Sequence, residues 1–166
     1  MRKFINLNKS DQHKLSAQFP NLLELVSVEE TLHYNYLAVS VFDGWLGAEV
    51  FALDSPSEKE QKNRNDALFS FSNKLASETD IINFKISGKR NQWKPRFRGF
   101  TSNRAKIEYL KPSNKVNFKV VLPELGIVFL EGYDYTNVMY LKDLAFKAQI
   151  KQWATECGVY CIDKLS

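Results

Sequence analysis

The chain is poor in the residues that write most local catalytic motifs: 166 residues carry 2 Cys, 2 His, 7 Gly and 5 Pro. Each scarcity excludes something. Cys157 and Cys161 have three residues between them, not the two of a redox or zinc Cys-x-x-Cys pair. His13 and His33 lie far from both in sequence, so neither a zinc site nor a Cys–His nucleophile is spelled locally. The thiols read instead as small core residues near a helix end. The glycines make no phosphate-cradling loop and no G-x-S-x-G elbow. No cofactor and no metal are expected.

Long hydrophobic runs are missing as well. The longest stretch free of Lys, Arg, Asp and Glu is Thr31–Phe42, 12 residues, short of the ~20 a membrane helix needs. Behind Met1-Arg2-Lys3-Phe4-Ile5, the polar Asn6, Asn8, Lys9 and Asp11 interrupt any apolar core of signal-peptide length. A cytoplasmic protein without a membrane segment is the expectation.

Acid is scarce in one region in particular. Between Lys85 and Lys115 stand ten basic residues and a single acid, Glu108; the rest of the chain carries 13 basic and 18 acidic residues. A modest overall charge of +4 therefore hides a strongly cationic segment within an acidic remainder, which bears on partners rather than on fold.

What is present suits a folded protein: 44% hydrophobic and 13% aromatic residues, well outside the disordered range. The length fits one domain over residues 1–166, able to bury roughly 70% of the surface its unfolded chain exposes.

Taken in order, Asn8 or Ser10 caps a short helix over Asp11–Gln18, and Pro20 opens a second helical turn to Leu25. Glu29–Leu53 is ambiguous. Ser27 with Glu30 spells a helical capping box, whereas Tyr34, Tyr36, Val39, Val41 and Phe42 favour a strand and Asp43-Gly44 a tight turn. The reading adopted is a hairpin of Thr31–Phe42 against Trp45–Leu53. Ser55 as cap, Pro56 at the first position and Glu58 at the third begin a helix that ends near Ser77, with Leu68, Phe71 and Leu75 as its apolar stripe.

From Asp80 the apolar period changes to two, with turn signals about every ten residues. Trp93–Arg98, Ala105–Lys111, Val116–Leu122 and Ile127–Leu130 read as strands of an antiparallel meander. Most show one apolar and one polar face. Ile127–Leu130 is apolar on both, so it is placed centrally, under a helix or against a second subunit of a homodimer. Phe146, Ile150, Trp153 and Cys157 form a stripe for a helix over Asp143–Cys157, which Gly158 ends; Val159–Ile162 reads as a last strand. The fold class is α+β, one mostly antiparallel sheet packed by two to four helices.

Lys94, Arg96 and Arg98 alternate on one extended segment, and the supposed strand after it adds Arg104 and Lys106. Trp93, Phe97 and Phe100 lie among them as candidate aromatic contacts. Such a face attracts either an acidic protein surface or nucleic-acid phosphates, with aromatics available to unpaired bases. The competing structural explanation is an edge strand made cationic to prevent sheet-to-sheet association. No RRM-like or zinc-finger spacing is present. A small non-enzymatic binding protein using this face is the reading adopted. The alternative is a small enzyme whose site gathers near Glu131 and Asp134, with His33 in support; against it, Gly132–Asn137 reads simply as a turn. The paired tyrosines, Tyr34 with Tyr36 and Tyr133 with Tyr135, suit either interface anchors or cross-strand packing.

Overall fold

The computed structural model describes residues 2–28, 33–45, 56–89, 92–112 and 116–164. Among them run eight strands and five helices: β1 Phe4–Asn6, α1 Lys9–Gln18, α2 Leu22–Val28, β2 Asn35–Ser40, α3 Glu58–Glu78, β3 Ile82–Ser87, β4 Lys94–Phe100, α4 Asn103–Leu110, β5 Lys119–Leu122, β6 Ile127–Leu130, β7 Thr136–Leu141, α5 Lys147–Glu156 and β8 Tyr160–Asp163. All strands join one antiparallel sheet in the order β1-β4-β3-β5-β6-β7-β2-β8. The α+β class follows directly.

Side chains alternate across this sheet, so each strand feeds two cores. On one face Leu15 of α1, Phe19 at its end, and Leu22 and Leu25 of α2 cluster with Phe84, Phe97, Val121, Val128 and Tyr140. On the other, Leu68, Phe71 and Leu75 of α3 and Ile150 and Ala154 of α5 cluster with Phe118, Val120, Phe129, Met139 and Leu141. Helices thus cover both faces of the central strands, and β6 lies centrally as its double-sided apolarity requires. The chain's own helices, not a second subunit, supply that cover. Phe71 meets Phe129 edge-on at 5.9 Å; truncating such a fully buried ring costs about 3–5 kcal/mol.

Several local signals act as expected. The Asn8 side chain accepts from the Asp11 amide at 2.8 Å to open α1. Gly158, at φ +76°, ends α5. For α3 the cap is displaced: Ser57, not Ser55, accepts from the Glu60 amide at 3.1 Å, so the capping-box spelling is Ser57-x-x-Glu60. Ser55 itself lies outside the described residues. Likewise, residues 143–146, expected within the last helix, precede α5 rather than belonging to it.

Three larger expectations need correction. Ala105–Lys111 is not a strand but helix α4, whose cap Ser102 accepts from the Ala105 amide at 3.0 Å. It brings the helices to five. The meander holds only for β5-β6-β7; β4 is displaced outward, because α4 carries the chain across to leave β5 on the far edge of β3. The first arm of the proposed hairpin is strand β2, but its Leu37–Ser40 stretch is flanked by β7 on one edge and β8 on the other. Most of the second arm, Trp45–Leu53, lies outside the described residues.

Candidate functional site

The cationic segment is built on the β3–β4 hairpin. Gly88, at φ +139°, opens its turn; a side chain there would collide with the Gln92 carbonyl. The register sets Ser87 opposite Lys94, Lys85 opposite Arg96 and Asn83 opposite Arg98. Opposite residues share a face, so Lys85, Lys94, Arg96 and Arg98 project to one side. Lys85, Lys94 and Arg96 are exposed, and Arg98 is half-buried. Among the described residues no carboxylate pairs with Lys85, Lys94 or Arg96. Lys85 and Arg96 thus form a like-charge cross-strand pair, an arrangement that destabilises a sheet. Lys85 was not singled out from sequence; only the register reveals it.

Arg98 has a different setting. Its Nε donates to Asn83 Oδ1 at 2.7 Å, and its guanidinium lies 3.9 Å from the centre of the Phe4 ring. Burial lowers its pKa. The fully buried Asn83 passes the network on, donating to the Tyr109 hydroxyl at 2.7 Å and to the Lys119 carbonyl at 3.1 Å. Tyr109 also accepts from the Lys119 amide at 2.8 Å, and burial raises its pKa. This network ties α4 to the sheet, with Arg98 inside it.

The other candidates also separate. Arg104 pairs with Glu108 at 3.3 Å on α4, and Lys106 is half-buried on the same helix. Phe97 is fully buried in the α1–α2 core. Phe100 packs against Phe4 and Tyr109, with centroids 5.5 and 5.6 Å away. Trp93 alone of the three aromatics is exposed, at 50%; with His13, Ser16 and Gln92 it lines a groove between α1 and the hairpin. The structure therefore gathers Lys85, Lys94 and Arg96 on one face at the outer end of the hairpin, leaves Trp93 exposed in the groove on the α1 side, and removes Arg98, Phe97 and Phe100 into packed or bonded settings.

A second concavity, about 620 Å³, opens at the β6–β7 turn. Glu131 and Asp134 both line it, but only Glu131 is half-buried; Asp134 is exposed. Burial pushes the Glu131 carboxyl up to about 7. The turn is tight: the Gly132 amide donates to Asn137 Oδ1 at 3.2 Å, and Asp134 and Tyr135 both sit at φ +56°, a left-handed pair that carries strain. His33 is exposed and is not among the lining residues, while His13 belongs to the other groove.

Cys157 and Cys161 are free and half-buried against the α3–α5 core, and burial pushes the Cys161 thiol up to about 11, which makes it a poor nucleophile. Among the described residues no group of three or more His, Cys, Asp or Glu is placed to hold a metal ion, and no helix is long and apolar enough to cross a membrane. No family model, curated protein or solved structure matches the chain.

Proposed function

We propose that the protein is a binding module that captures an acidic protein surface with the outer end of its β3–β4 hairpin. Lys85, Lys94 and Arg96 supply the charge and Trp93 supplies an apolar anchor. The observation that carries this reading is the Lys85–Arg96 pair, set directly opposite each other and uncompensated among the described residues. A partner carboxylate between the two would turn a repulsive contact into an attractive one and steer association. Arginine and tryptophan are also the residues most often found as interface anchors. Single-stranded nucleic acid is the weaker fit, because successive bases need a run of exposed rings and Phe97 and Phe100 are already packed.

The test compares three probes on the wild type and on the double variant Lys85→Glu/Arg96→Glu: a polyglutamate chain, a DNA duplex and oligothymidylate. Polyglutamate is expected to bind the wild type, more weakly as salt rises, and to lose at least tenfold in affinity on the double variant. Tighter binding of either oligonucleotide, with the steep salt dependence of counterion release, would replace the acidic protein with nucleic acid as partner. Equal polyglutamate affinity for both proteins would remove the hairpin end from the account.

A further inference from the structure

The cleft at the β6–β7 turn has its floor on the α1–α2 face of the sheet, opposite to the face that carries Lys85 and Arg96. Strand register builds that floor. Lys119 of β5 stands opposite Leu130 of β6, and Leu130 opposite Val138 of β7. Opposite residues share a face, so the three form one row across the sheet. Leu130 and Val138 pack against the α1–α2 core, whereas Phe118 and Val120, on either side of Lys119, belong to the opposite core. Alternation therefore directs the half-buried Lys119 side chain to the cleft. The same alternation carries the Glu131 carboxyl to the other face, where its charge acts on Tyr109.

Tyr36 and Trp45 form one wall, stacked at 6.3 Å with 27° between their planes. Several polar groups around the cleft are already spent. The Trp45 indole donates to the Asp163 carbonyl at 2.8 Å, and the Ser40 and Thr136 hydroxyls bond each other at 2.8 Å. Thr136 also donates to the Asp134 carbonyl at 3.3 Å, while the Asp134 side chain is exposed. Among the described residues no carboxylate pairs with Lys119. A concavity with aromatic and apolar walls and few polar groups has the character of a small-molecule site. A half-buried ammonium within it favours an anion.

We propose that this cleft binds a small amphipathic carboxylate, its anionic head on the Lys119 ammonium and its apolar body over Leu130 and Val138 toward the Tyr36–Trp45 wall. Asn117, two residues before Lys119, also lines the cleft and adds an amide at the anionic end. Three strand spacings separate β5 from β2, about 14 Å, which suits one ring on a short chain rather than a long lipid tail.

Phenylbutyrate, phenylbutanol and phenylbutylamine share one body and differ in charge, so they are the probes, followed by NMR at the Gly132 amide and the Trp45 indole N–H. Saturable shifts are expected with phenylbutyrate, at least tenfold weaker binding with the alcohol, and the weakest with the amine. Lys119→Met, which keeps the apolar stem, should bring the carboxylate down to the affinity of the alcohol. Lys85→Glu/Arg96→Glu should leave carboxylate binding within twofold of the wild type, since those cations lie on the other face. The comparison of the three probes needs no variant, so it stands even if Lys119→Met disturbs the fold. Absence of a saturable shift at millimolar phenylbutyrate, or equal affinity for acid and alcohol, overturns the proposal. So does carboxylate binding that survives Lys119→Met, or that is lost on the hairpin variant instead.

Discussion

Arg96 and Arg98 stand two residues apart on the same face of the same strand, and the fold treats them oppositely. Arg98 lies at the inner end of the hairpin, where α4 crosses the sheet; Asn83, Phe4 and the Tyr109 network hold it. Arg96 lies at the outer end, exposed, with Lys85 opposite and no acid paired to either among the described residues. A row of positive charge in a sequence is therefore not a row of positive charge on a surface. What separates the two is whether another element covers the strand at that point.

That contrast can be broken from either end. The largest effect is expected at Arg98→Ala. It leaves the buried Asn83 Oδ1 without its donor and removes the contact over Phe4, about 2–3 kcal/mol together. Thermal unfolding should shift down by about 5–10 °C; a shift within experimental scatter would show that the inner network does not support the fold. Tyr109→Phe comes next. It withdraws the hydroxyl that accepts from Asn83 and from the Lys119 amide, about 1–2 kcal/mol, and hydrogen exchange at the Lys119 amide should quicken. Unaltered protection there would detach α4 from the network.

Glu131→Gln sharpens the comparison through pH. The Glu131 carboxyl is raised from 4.5 to about 7 in the folded protein, so between those values the native state holds a proton that the unfolded chain has lost. Ionising the carboxyl therefore weakens the fold progressively as pH rises from about 4.5 to about 7. Glutamine removes this dependence. The variant's advantage over the wild type should be near zero at the acid end and grow to on the order of 1 kcal/mol above neutrality, after allowance for solvent around a half-exposed group. Melting curves that stay parallel across this range would count against a desolvated carboxyl.

These expectations also show which parts of the molecule local sequence carries. The β5-β6-β7 meander was legible because neighbouring strands in sequence are neighbours in space, and because Val128 and Phe129 are both apolar as a central strand demands. The α3 stripe at Leu68, Phe71 and Leu75 was legible for the same local reason. Helix α4 was not, since Ala105, Ile107 and Tyr109 alternate like a strand over so short a span; the Ser102 cap and the Arg104–Glu108 spacing were the helical signals that read differently. The pairing of β1 with β4 and the insertion of β2 between β7 and β8 join segments far apart in sequence, which no local pattern encodes. The candidate site divides the same way. Arg96 and Lys94 could be named from alternation, whereas Lys85 as their neighbour and the withdrawal of Arg98 depend on register and on α4.

The most direct measurement is a pair of charge reversals, Arg96→Glu and Arg98→Glu, each followed by urea unfolding and by polyglutamate binding. The account predicts that Arg96→Glu keeps or slightly gains stability, by about 0.2–1 kcal/mol, because it faces Lys85 with an opposite charge, while its polyglutamate binding is lost. Arg98→Glu should instead lose several kcal/mol of stability by burying an unpaired carboxylate. Binding that survives Arg96→Glu, or a fold that tolerates Arg98→Glu as easily as Arg96→Glu, would contradict it.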